Sequence, residues 1–248
     1  MNEKLTKKAY PLLALALGLC GAGCRFLLYA TGVDAKGLLV PGHPAAWVLG
    51  LLTAAAALMA ALAWRLSRED DKAPDDPGRG LVPALGSAVM ALGALSVVLL
   101  PESGGIPALL RIHRLLSVAA AVCLLAAAGF RLRGKPVPFG CSALAAVFLF
   151  IHVVSRYRAW SGDPQVMDYL FSLGAGLCLT LTAYYETALA VGLGGRRLRL
   201  ALGTLGIFFC FTAAARGEYP ALHLCGGLWL LAMLLTARPG ERLEGADL

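Results

Sequence analysis

The chain has 248 residues, of which 58% are hydrophobic and only 15% charged, and its mean hydropathy is +0.72. So few charged side chains cannot cover the surface of a water-soluble domain of this length, which sets aside the soluble enzyme and binding-module classes. The net charge of +7 sits in short clusters between apolar runs, with no basic stripe interleaved with aromatics, and so speaks against a nucleic-acid partner.

Lipid is the alternative solvent. A helix that crosses it needs about 20 apolar residues, because every backbone N–H and C=O has to be satisfied within the segment. The first such run, residues 10–30, follows Lys4, Lys7 and Lys8. With Gly21-Ala22-Gly23 inside it, this run has the outline of a signal peptide. The apolar run resumes after Arg25, however, and a retained span is expected. Turn formers fill residues 31–44. A second span covers 45–64, and the hydrophilic stretch 65–80 is expected to be a solvated loop. Further spans are expected at 81–100, 108–130, 139–154, 167–190, 198–215 and 221–236, with a tight turn at 101–107 and a polar tail after 236.

The expectation is therefore an all-α bundle of eight transmembrane helices forming a single domain. Eight crossings put both termini on one side. Seven of the 22 Lys and Arg residues (Arg25, Lys36, Arg111, Arg114, Arg156, Arg158 and Arg216) fall on the opposite side, and the remaining fifteen on the terminal side. The positive-inside rule then places the termini in the cytoplasm and the protein in the cell membrane. The openings of spans four and eight are alike, with Ile106-Pro107-Ala108-Leu109 beside Tyr219-Pro220-Ala221-Leu222. This hints at a parallel repeat of four plus four spans.

Polar chemistry is densest around residues 150–171, where span five ends and span six begins. His152, Arg156, Arg158 and Asp168 lie there. Arg25, His113 and His223 stand near the same outward boundary on other spans. Charged groups at membrane depth are costly and mark either a site or a buried pair. As a site, these seven residues would line an outward-facing, electropositive pocket for a small anion, whose carboxylate or phosphate suits the planar guanidinium fork. As structure, Arg25 would pair with Asp168 or Glu218, while arginines at helix ends, Arg111, Arg114, Arg156, Arg158 and Arg216 among them, would snorkel to lipid phosphates. On the cytoplasmic side, Glu186 would relay protons or ions if it faces a cavity, or else snorkel and pair with Arg196, Arg197 or Arg131.

Three histidines on three spans also raise bis-histidine haem, although no HxxxH, Glu-x-x-His or CxxCH pattern supports it. Cys20 and Cys24 lack the second pair of a zinc site, and the seven cysteines read as small packing residues. Trp160, Tyr157, Tyr169 and Tyr219 fit an outer aromatic belt. Gly18, Gly21, Gly23, Gly174 and Gly176 fit close helix packing. No GxSxG, HExxH or phosphate-binding GxxxxGK occurs, so no catalytic residue is assigned. The leading expectation is binding or transport of a small anion. The alternatives are a membrane anchor or assembly subunit working with partner subunits or as a homo-oligomer, and a haem-carrying electron-transfer subunit.

Overall fold

The computed structural model describes residues 3–33, 39–40, 42–66, 79–99, 107–160, 166–191, 193 and 195–236; for residues 3–8, 66, 107, 166–168 and 190 only the backbone is described. Most of the expected turn at 101–107, most of the 65–80 loop and the polar tail lie outside the described residues.

Among the described residues the chain is all-helical. Its eight helices are α1 (Glu3–Thr31), α2 (Pro44–Leu66), α3 (Leu81–Leu99), α4 (Pro107–Leu132), α5 (Phe139–Trp160), α6 (Val166–Ala190), α7 (Arg196–Ala214) and α8 (Pro220–Thr236). Six of them (α1, α2, α3, α4, α5 and α7) are long and apolar enough to cross a membrane, and α8 is a shorter apolar helix. Large apolar side chains such as Leu51, Leu58, Leu115 and Val122 project outward from them. This is a membrane-embedded helical bundle, the build of a multi-pass membrane protein.

The departure from the expected boundaries that bears on the site is at α5, which runs six residues past 154 to Trp160. The reason is periodicity. Phe148, His152, Ser155 and Arg156 fall on one helical face, and all four are buried. Arg156, Tyr157, Arg158 and Trp160 therefore belong to the last two turns of a helix and not to a turn between helices.

Five helices close a ring in the order α3, α4, α5, α6, α8 and back to α3. The α7 helix packs outside it in the groove between α6 and α8, and α1 and α2 pack on α7. Small residues bring these helices together. A Cβ added at Gly86 would lie 2.7 Å from Ala232 Cβ, and one at Gly93 would lie 2.6 Å from Cys225 Cβ, so α3 and α8 run antiparallel in near backbone contact. On α1 the buried positions are Pro11, Ala14, Gly18, Gly21, Arg25, Leu28 and Gly32. That three-four alternation is the seam of a coiled-coil-like contact, and Gly18 and Gly21 in it meet Phe208, Phe211 and Thr212 of α7. Gly23, by contrast, has nothing near it and is not a packing glycine. Gly174 against Phe209 and Gly176 against Val153 are packing glycines as expected.

Candidate functional site

The bundle has two ends. We call proximal the end where α1 starts and α8 finishes, and distal the end where α5 finishes and α8 starts. Polar side chains are buried at both.

At the distal end the ring interior holds a histidine cluster. His113 of α4 and His152 of α5 are joined by a hydrogen bond of 3.0 Å between Nε2 and Nδ1. The His113 ring stacks on Phe148 at 5.8 Å. The edge-on rings of Tyr219 and His223, both near the start of α8, lie 5.1 and 6.5 Å from His152. All three imidazoles are buried. A hydrogen bond between two imidazoles needs one ring to donate and the other to accept, so it fixes complementary tautomers. Iron held between the two rings would set their nitrogens about 4 Å apart, twice a typical metal–imidazole bond. At 3.0 Å they fill one another's coordination positions, so the pair does not fit a bis-histidine haem. Among the described residues no group of three or more His, Cys, Asp or Glu is placed to hold a metal ion. Replacing His113 with Leu removes the partner of a buried imidazole and is expected to lower stability by about 1–2 kcal/mol. Unfolding in detergent measures this.

The arginines around the cluster have separate partners. Arg25 is buried on α1 and donates from one terminal nitrogen to the carbonyls of Thr212 and Ala213, at 3.3 and 3.4 Å. These are among the last carbonyls of α7, at the negative end of its dipole, and that of Ala213 also accepts from the Arg216 backbone N–H at 3.3 Å. Arg156, only 1% exposed, donates to Glu218 at 3.2 Å and lies over the Tyr219 ring. It does not snorkel. Its Nε and second terminal nitrogen are buried with no hydrogen-bond partner. Trp160 stacks on Tyr169 at 4.6 Å and also donates to Glu218. Arg111, Arg114, Arg158 and Arg216 are exposed, as expected of helix-end arginines. Asp168 lies in the first turn of α6, its side chain outside the described residues.

Beside this cluster a cavity of about 400 Å³ opens at the distal end, lined by Tyr29, Val33, Tyr169, Ser172, Arg216, Gly217 and Glu218. The Arg216 guanidinium lies 5.0 Å from the Tyr29 ring centre, and Arg25 approaches the same ring at 5.9 Å. Of the seven residues expected to form the site, His113, His152, His223, Arg25 and Arg156 come together behind this cavity. Arg158 is exposed near the end of α5. Tyr29, Ser172 and Arg216, which line the opening, carry no signal in the sequence that sets them apart from other residues at helix ends.

At the proximal end, Glu186 is 5% exposed and accepts from Arg199 of α7 at 2.8 Å. Glu186 also lines a small cavity of about 20 Å³, together with Ser87, Arg131, Cys141, Ser142 and Trp229 among others. Its hydrogen-bonded partner is Arg199, while Arg131, one of the three arginines expected, lines the same cavity and feels the Glu186 charge. Arg131, also 5% exposed, hydrogen-bonds to neutral groups, Ser87 Oγ at 2.7 Å, Met233 Sδ at 2.7 Å and the Pro83 carbonyl at 3.4 Å, and feels the charges of Glu186 and Arg199. Arg131 and Arg199 were counted above with the loop charges that set topology. Both are instead buried in terminal turns of helices.

Comparison of the chain with protein-family models, with curated proteins and with solved structures finds no match to any of them.

Proposed function

We propose that the chain is a cell-membrane protein of eight transmembrane helices, with both termini cytoplasmic, that binds a small organic anion in the distal cavity as a receptor or carrier. The observation that carries this reading is the distal cavity itself. Its volume of about 400 Å³ falls in the range of small-molecule sites. Arg216 lies on its wall, and Arg156 stands behind Glu218 with two buried N–H-bearing nitrogens unused. Carboxylate or phosphate is the class of group that a guanidinium with free donors takes best. Tyr29 and Tyr169 supply flat apolar walls for the rest of the molecule. Glu218 holds Arg156 and Trp160 in position and is the group a ligand anion would displace or share.

Arg25 is assigned to the α7 terminus in this reading and serves the site only by holding that wall. The test is calorimetric titration of the detergent-purified protein with a panel of mono- and dicarboxylates and phosphate esters. Binding of at least one member is expected, weakened about tenfold or more in Arg156→Gln and Arg216→Gln. Arg25→Gln should lower thermal stability first. Unchanged affinity in both Arg156→Gln and Arg216→Gln removes the assignment.

A further inference from the structure

The proximal cavity is independent of the distal one and is lined by residues of all five ring helices. Three side chains on its wall, each more than nine-tenths buried, carry an atom with no hydrogen-bond partner within the chain. These atoms are Arg131 Nε on α4, Glu186 Oε2 on α6 and Trp229 Nε1 on α8. The other bonds of the same groups are made elsewhere. Arg131 donates from a terminal nitrogen to Ser87 Oγ, whose own hydrogen goes to the Pro83 carbonyl, and Glu186 accepts from Arg199 through Oε1. Polar atoms inside an apolar bundle are costly to leave unpaired.

The wall is selective in its chemistry. The opposite charges of Arg131 and Glu186 interact and cancel, so neither sign of ion is favoured. Two of the three open positions are N–H donors and the third is a carboxylate oxygen, so a ligand has to accept two hydrogen bonds and donate one. A halide has no proton to donate to Glu186, and a metal cation cannot accept from Arg131 or Trp229. The room is about 20 Å³, against about 10–15 Å³ for one water, and leaves no space for an organic group. We propose that this cavity binds a single water molecule, which accepts from Arg131 Nε–H and Trp229 Nε1–H and donates to Glu186 Oε2. The water makes Glu186 and Arg131 a water-mediated ion pair and ties α4, α6 and α8 together. Through the Glu186–Arg199 contact the same network reaches α7.

Trp229 reports the water directly. The full-length protein in detergent, labelled with 15N-tryptophan, gives one indole N–H resonance for each of its four tryptophans, and Trp229→Phe identifies the one that belongs to Trp229. That nitrogen is inaccessible to bulk solvent. A nuclear Overhauser cross-peak between its proton and the water resonance is therefore expected only if a water is held beside it. The cross-peak should persist in Ser142→Ala, which removes an exchangeable hydroxyl from the same wall. No cross-peak in the unmodified protein, the result for a dry cavity, overturns the proposal. So does a cross-peak that disappears in Ser142→Ala, because exchanging hydroxyl protons would then be its source. A density map fine enough to show ordered water gives a second reading, with a single peak expected within about 3.2 Å of Arg131 Nε, Trp229 Nε1 and Glu186 Oε2. A map without that peak, or one in which Glu186 Oε2 bonds directly to Arg131, overturns the proposal equally.

Discussion

Replacing Arg199 with Met while Glu186 remains is expected to cost about 3–5 kcal/mol of stability, the penalty of leaving one member of a buried ion pair alone. Both side chains are nearly inaccessible, at 2% and 5% exposure, and their closest atoms are 2.8 Å apart. Glu186→Met should be similarly damaging, because Arg199 would lose its buried carboxylate partner and Arg131 the carboxylate on its cavity wall. The double change, Arg199→Met with Glu186→Met, should recover most of the loss, since an apolar pair of similar volume is often as stable as a buried ion pair. The resulting coupling energy, read from unfolding in detergent for the four proteins of the cycle, should be large and favourable. If the two single changes simply add, the pair is not a unit and the contact at 2.8 Å contributes little.

Gly21→Leu is expected to separate α1 from α7. A Cβ at this position would lie 2.5 Å from Thr212 Oγ1 and 3.3 Å from the Phe208 ring, and α7 has no slack there because Phe208 and Thr212 are fully buried. Overpacking of this kind costs about 1–3 kcal/mol. A second consequence follows from the same seam. Arg25 is the next position along it, so displacing α1 withdraws the guanidinium from the carbonyls of Thr212 and Ala213. The loss should therefore exceed that of Gly18→Ala, whose Cβ would meet Phe211 Cβ at 3.0 Å. Gly23→Leu is the matched control. It adds the same side chain two residues away, where nothing lies within 4 Å, and leucine is the better helix former, so stability should hold or rise slightly. Equal effects at 21 and 23 would mean that the α1–α7 seam is not where the contact lies.

Several features of the site were legible before any coordinates. His113, His152 and His223 could be matched by depth along their spans, because depth in a helix follows from residue number alone. Glu186 was singled out because a carboxylate inside an apolar run is expensive wherever it points. The seam on α1 was there to be found in the alternation of positions 11, 14, 18, 21, 25, 28 and 32, and it would have assigned Arg25 to a helix contact. Arg199 was missed, and Arg131 was named only as one of three candidate partners of Glu186, for a physical reason. An arginine in the last or first turn of a span reads the same whether it reaches out to the headgroups or turns in to a partner.

The sequence by itself determined that this is a helical membrane protein, and where its helices run to within a few residues. Span length and backbone satisfaction in lipid are properties of each segment alone, with no need of a neighbour. Only the tertiary structure decided that α3, α4, α5, α6 and α8 form the ring, that α7 stands outside it, and that Glu186 meets Arg199. In water the polar face of a helix points outward and reveals its orientation. In lipid both the core side and the outer side are apolar, so the facing of each helix is settled by close fits such as Gly86 on Ala232 and by the search of each buried charge for a partner.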